Sequence, residues 1–170
     1  QGYGIAGVVV NKSDNNVETI SDEENGWLRF TTNTANGCYI DIQQEEFPKN
    51  LIVEFDVRAS ETGVGGGIIA RGEKATFNWL VNINENKTIS VGSGKVIGKV
   101  KADKWTNVQL ILNFRKHIIT AYCDGNLIGE NIAMALSTDD VVERLRVGAF
   151  SGAGTIDFDN LLVYQGKTIK

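Results

Sequence analysis

Leu51-Ile52-Val53-Glu54-Phe55-Asp56-Val57-Arg58 alternates with a period of two. Leu51, Val53, Phe55 and Val57 fall on one side, and Ile52, Glu54, Asp56 and Arg58 on the other. Successive side chains of a strand point to opposite faces, so the pattern is that of an antiparallel strand with one face in a core and one in water. Val108-Gln109-Leu110-Ile111-Leu112-Asn113-Phe114-Arg115 repeats the device, with Val108, Leu110, Leu112 and Phe114 inward. Working outward from these two runs gives strands at 27–32, 37–43, 66–71, 75–83, 87–91, 95–101, 117–123, 144–150 and 155–164, and one near 5–10. Only Asn131 to Glu143 has room for a short helix.

Turn chemistry separates the strands. Asn25-Gly26, Asn36-Gly37 and Asp124-Gly125 are pairs that supply the positive φ of tight reversals. Ile118 to Cys123, Asp124-Gly125-Asn126 and Leu127-Ile128-Gly129 read as one hairpin. Gly63-Val64-Gly65-Gly66-Gly67 reads as a flexible turn; it has no Lys-Ser/Thr and no following helix, so it is not a phosphate cradle. About a dozen short strands with closely spaced turns predict an all-β, two-sheet antiparallel sandwich.

A chain of 170 residues suffices for one core, and no linker or repeat divides it, so residues 1–170 are expected to form a single domain. No apolar run approaches the roughly 20 residues of a spanning helix, which argues against a membrane partner. A net charge of -4, with basic residues scattered along the chain, argues against nucleic acid. The chain starts at Gln1 and reads as a mature or excised module of a larger secreted protein. Cys38 and Cys123 lie in separate strands and are expected to be separate buried thiols, a disulfide being the alternative. Asn11-Lys12-Ser13 and Asn86-Lys87-Thr88 are glycosylation sequons in turns.

One order of motifs resembles a known superfamily. Lys104-Trp105-Thr106-Asn107-Val108-Gln109-Leu110 leads to Ile119-Thr120-Ala121-Tyr122-Cys123-Asp124-Gly125-Asn126-Leu127, then to Leu145-Arg146-Val147-Gly148 and Ile156-Asp157-Phe158-Asp159-Asn160-Leu161-Leu162-Val163-Tyr164. This resembles the C-terminal half of the concanavalin A-like, laminin G-like superfamily, and Ile52 to Arg58 with Gly67 to Arg71 resembles its central strands. The resemblance implies a jelly-roll sandwich and a lectin-like or carbohydrate-binding-module function. It marks fold better than function, because lectins, glycosidases, lyases and adhesion domains share it.

Within that superfamily, glycosidases use a Glu-Xaa-Asp-Xaa-Xaa-Glu strand whose acids share a face. Retention of configuration needs two carboxyl groups about 5–5.5 Å apart. Glu54 and Asp56 fit the start of the pattern, but Arg58 and Ala59 follow, and Asp41 to Glu45 lacks the leading Glu. His117, the single histidine, reads as a turn residue at a hairpin entrance. The expectation is therefore a chain with no chemistry of its own.

Sugar recognition needs an apolar aromatic platform and fixed polar groups. Trp27, which shares a face with Arg29, is expected to be accessible, whereas Trp105 is expected in the core. Trp79 is read as core packing, with Asn78 outward; an offset at the glycine run would make Trp79 the platform instead. Trp27, Tyr39, Asp56, Arg58, Arg71, Asn78, Trp79 and Arg146 are the expected ligand residues, with Tyr39, Asp56, Arg58, Asn78 and Arg146 sharing one polar sheet face. Its arginines suit an acidic sugar. Asp157 and Asp159, two apart, are candidate ligands of a structural calcium. The function expected is a monomeric, secreted, non-catalytic module holding a poly- or oligosaccharide for a polysaccharide-degrading enzyme. The alternatives are a protein-binding sandwich of a surface protein and a jelly-roll hydrolase or lyase with an atypical site.

Overall fold

The computed structural model describes residues 8–10, 16–23, 25–33, 37–72, 78–134 and 141–166. These form fourteen strands: β1 (Val8–Val10), β2 (Asn16–Ser21), β3 (Gly26–Thr32), β4 (Cys38–Gln43), β5 (Asn50–Ala59), β6 (Val64–Gly72), β7 (Asn78–Ile83), β8 (Thr88–Val91), β9 (Lys95–Lys99), β10 (Thr106–Asn113), β11 (Ile118–Cys123), β12 (Asn126–Ala133), β13 (Val142–Gly152) and β14 (Gly154–Gln165). They build two seven-stranded antiparallel sheets. The first has the order β12-β11-β10-β5-β14-β3-β2 and the second β1-β4-β13-β6-β7-β8-β9. The protein is an all-β sandwich, and no helix among the described residues is long and apolar enough to cross a membrane.

The core is the product of the alternation. Leu51, Val53, Phe55 and Val57 of β5 are buried, and Val108, Leu110 and Leu112 of β10 lie beside them in register, with Phe114 just beyond. Phe158 of β14 meets Phe30 at 5.7 Å and Phe55 at 5.5 Å between ring centroids. Burial of each such side chain contributes about 1.5–3 kcal/mol. Ile40, Ile68, Val81, Leu145 and Val147 supply the facing layer from the second sheet.

The predicted hairpin is present: Asp124 (φ 47°) and Gly125 (φ 76°) join Cys123 to its partner Asn126. His117 is a turn residue at φ 54°. Gly26 lies at the β2–β3 reversal without positive φ, and Asp22 Oδ1 accepts from the Asn25 amide across the turn at 2.9 Å. Asn36 lies outside the described residues. Cys38 and Cys123 are free thiols, Cys38 buried and Cys123 partly so.

Two expectations are corrected. Gly65, Gly66 and Gly67 are inside β6 and do not form a turn. A side chain at Gly66 would strike the carbonyl of Gly148 on the adjoining strand at 2.4 Å, so close backbone approach, not flexibility, accounts for the glycine. The segment proposed for a helix is strand at both described ends, since β12 runs to Ala133 and β13 begins at Val142; residues 135–140 lie outside the described residues. Strand β2 escapes the period-two test because its apolar residues, Val17 and Ile20, are three apart.

Candidate functional site

The expected ligand residues divide between opposite outer faces of the sandwich. Tyr39, Arg71, Trp79 and Arg146 belong to the second sheet, and Trp27, Asp56 and Arg58 to the first. A single polar face carrying Tyr39, Asp56, Arg58, Asn78 and Arg146 does not exist. Alternation reports which side of a strand is polar but not which sheet the strand joins.

On the second sheet, β4, β13, β6 and β7 lie side by side and their cross-strand partners form rows. Gln43, Arg144 and Arg71 make one row. Asp41, Arg146, Ile69 and Trp79 make the next, and Tyr39, Gly148, Gly67 and Asn82 a third. Arg146 donates from Nε to Asp41 Oδ1 at 2.7 Å and from Nη2 to Oδ2 at 2.8 Å. Its guanidinium carbon lies 3.5 Å from the centroid of the Tyr39 ring. The pair is nearly buried although it stands on the outer face, with Asp41 3% and Arg146 8% exposed. Tyr39 reaches this position because residue 148 is glycine: a Cβ there would sit 2.8 Å from Tyr39 Cβ.

Trp79 meets Phe150 edge to face at 5.4 Å. The β6–β7 register slips by one residue between Ile68/Val81 and Ile69/Trp79. This bulge places both Leu80 and Val81 in the core and turns Trp79 outward beside Ile69. Core packing for Trp79 and an outward Asn78 are thereby both corrected. Asn78 is buried on the core side opposite Ala70, and its Nδ2 has no hydrogen-bond partner among the described residues.

Burial lowers the Arg71 pKa, and the charges of Arg146 and Arg144 lower it further against the opposing pull of Asp41 and Tyr39. For Arg146, burial also disfavours the cation, but the hydrogen bond and charge of Asp41 outweigh it and the pKa is raised. Arg71 thus feels the repulsion of two neighbouring guanidiniums, and an anion placed beside it would relieve it. Basic residues scattered in sequence converge here. Arg144 and Phe150 were absent from the expected surface, although both follow the alternation of Arg146 along β13.

The first sheet's outer face is arranged differently. Asp157 accepts from Arg29 Nε at 2.8 Å and Nη2 at 2.9 Å, and from Arg58 Nε at 3.0 Å and Nη2 at 2.7 Å. The Arg58 guanidinium carbon lies 4.5 Å from the Trp105 ring centroid and 5.0 Å from that of Trp27. Trp105, expected in the core, is 39% exposed. Asp56 accepts from Asn107 Nδ2 at 2.9 Å and Asn160 Nδ2 at 2.8 Å. These carboxylates find their partners within the protein, in a network of ion pairs and amides.

Asp157 and Asp159 do not fit a calcium site. Two guanidiniums already neutralise Asp157, and Asp159 Oδ1 accepts from the Asn160 amide at 2.7 Å. No cluster of three or more His, Cys, Asp or Glu suited to a metal occurs among the described residues.

No family model matches the sequence, and no curated protein matches it. Solved structures do match the fold. A sialidase superposes with a TM-score of 0.71 at 14% identity over 89% of this chain and 16% of its own. Trypanosoma rangeli sialidase in complex with sialic acid gives 0.67 at 15% identity, over 89% of this chain and 27% of its own. A structure described by the dependence of botulinum neurotoxin type C cell entry on two ganglioside molecules gives 0.64 at 11% identity, over 95% and 44%. The chain therefore spans less than half of each of these polypeptides. The expectation of a chain without enzymatic activity is corrected by this comparison, because the structures that share its fold include sialidases, which are enzymes. At these identities the likeness establishes the fold: the chain is a β-sandwich similar to parts of these sialidase and botulinum neurotoxin structures.

Proposed function

We propose that this chain is a glycan-binding β-sandwich of the concanavalin A-like jelly-roll class, holding an acidic saccharide on the outer face of the second sheet. The observation that carries the reading is the Arg146 guanidinium lying on the Tyr39 ring, with Arg71 and Arg144 on adjoining strands and Trp79 against Phe150. Aromatic faces accept the C–H side of a sugar ring, and planar guanidiniums bind a carboxylate in two-pronged fashion. Support also comes from neighbours of the same fold, one solved with sialic acid and one described through ganglioside interaction. The chain would act in an extracellular setting as part of a longer glycan-processing polypeptide, raising the local concentration of the whole on its glycan.

A glycan array comparing carboxylated with neutral oligosaccharides tests the reading. Carboxylated glycans should be retained, with affinity reduced at least about tenfold by Trp79→Ala or Arg144→Ala. Trp105→Ala, on the opposite face, should leave binding unchanged. Retention of neutral glycans alone, or loss confined to Trp105→Ala, would refute the assignment of this face.

A further inference from the structure

An open pocket of about 360 Å³ lies at the β7–β8 turn, lined by Gly65, Asn82, Asn84, Glu85, Asn86 and Ser151. Apart from Gly65, every lining residue carries an amide, hydroxyl or carboxylate. The amides are fixed in place. Asn84 Nδ2 donates to Thr88 O at 3.1 Å, Thr88 Oγ1 at 2.9 Å and Ser90 Oγ at 3.2 Å. Its Oδ1 accepts from Asn82 Nδ2 at 2.7 Å. The hairpin thus orients Asn84, which orients Asn82, before any ligand arrives. The pocket is open because residue 65 is glycine: a Cβ there would stand 2.5 Å from Ser151 Oγ.

The pocket shares a face with the arginine cluster. Asn82 belongs to the same row as Tyr39, Gly148 and Gly67, one row beyond Arg146 and Trp79. Gly65 is four residues along β6 from Ile69, about 13 Å at the rise of a strand. That separation is the length of a short oligosaccharide. The two ends differ in charge, with Arg71, Arg144 and Arg146 at one and Glu85 at the other.

We infer that the Asn82–Asn84–Ser151 pocket takes an uncharged, hydroxyl-rich sugar linked to the acidic one, so that the face binds an oligosaccharide in one fixed direction. This rests on the acidic-saccharide reading above. Amide, hydroxyl and carboxylate groups offer both donors and acceptors, which matches vicinal sugar hydroxyls. Glu85 repels a second carboxylate, so only the uncharged ring enters at this end. The glycan's acidic terminus points to the arginines.

Isothermal titration of the full chain with sialic acid, sialyllactose and lactose tests the inference. Sialyllactose should bind about tenfold more tightly than sialic acid, the yield of one or two net hydrogen bonds. Asn82→Ala and Ser151→Ala should erase that advantage while leaving the affinity for sialic acid unchanged, and Arg144→Ala should weaken both acidic ligands. The wild-type ratio needs no variant, so a misfolded mutant does not compromise the test. Equal affinities for the two acidic ligands, or a ratio untouched by the pocket variants, would overturn the pocket and leave the arginine site standing. Binding of neither acidic ligand, or of lactose alone, would overturn both.

Discussion

Asp41→Ala is the most informative perturbation of this fold, because two simple rules rank it oppositely against Asp157→Ala. By number of hydrogen bonds, Asp157 should matter more, since it accepts four from Arg29 and Arg58 whereas Asp41 accepts two from Arg146. By burial of the surviving partner, Asp41 should matter more. The Arg146 side chain is 10% exposed, whereas those of Arg29 and Arg58 are 31% and 23% exposed and have water within reach once released. Stranding a buried charge costs about 3–5 kcal/mol, against roughly 0–1 kcal/mol for a surface pair such as Lys49–Glu46. Burial should win. In a domain of this size each kcal/mol moves Tm by about 2–4 °C, so Asp41→Ala should lower Tm by roughly 6–20 °C. Urea unfolding with an unchanged m-value measures the loss directly. Arg146→Met added to Asp41→Ala removes the stranded charge and should restore stability to within about 1 kcal/mol of the parent. A loss under about 1 kcal/mol for Asp41→Ala, a larger loss for Asp157→Ala, or no rescue in the double variant would refute this argument.

Three further outcomes are expected. Gly148→Ala should cost upward of about 1–3 kcal/mol, because its Cβ would lie 2.2 Å from the Cys38 carbonyl, and it should weaken glycan binding by displacing Tyr39; thermal melts and titration of the same preparation separate the two effects. Trp27→Phe should be nearly neutral, within about 1 kcal/mol in urea, because the indole Nε1 it removes is buried without a partner among the described residues. Burial raises the thiol pKa of Cys38, and likewise of Cys123, where Asp124 adds to it. The folded state therefore holds these protons to higher pH than the unfolded chain. The stability they contribute is complete below the unfolded thiol value of about 8.5 and declines as pH rises through the higher folded values. Stability of a Cys38→Ala, Cys123→Ala variant should fall less between pH 8.5 and 10 than that of the parent, and parallel curves would contradict the sign.

Much of the architecture was readable from residue order because the period of a strand is two. Leu51, Val53, Phe55 and Val57 could only be core if the segment was a half-buried strand, and their neighbours across β10 obeyed the same rule. Asp124-Gly125 likewise specified its own reversal through positive φ, a local property. Parity of position, however, states only that Tyr39 and Arg146, or Asp56 and Arg58, point away from the core. Which pair shares a surface depends on strand pairing, and Asp41 and Arg146 are brought together across 105 residues.

Local offsets were equally invisible. The bulge that turns Trp79 outward and buries Asn78 arises where β6 and β7 slip by one residue, and a one-residue slip inverts every face assignment beyond it. Trp105 is exposed because it precedes β10 rather than continuing its inward row. Sequence thus determined that this chain would stack two antiparallel sheets around an aliphatic and aromatic core. Tertiary structure alone decided which arginines meet which aromatic rings, because sheet membership and register are set by contacts between segments far apart in the chain.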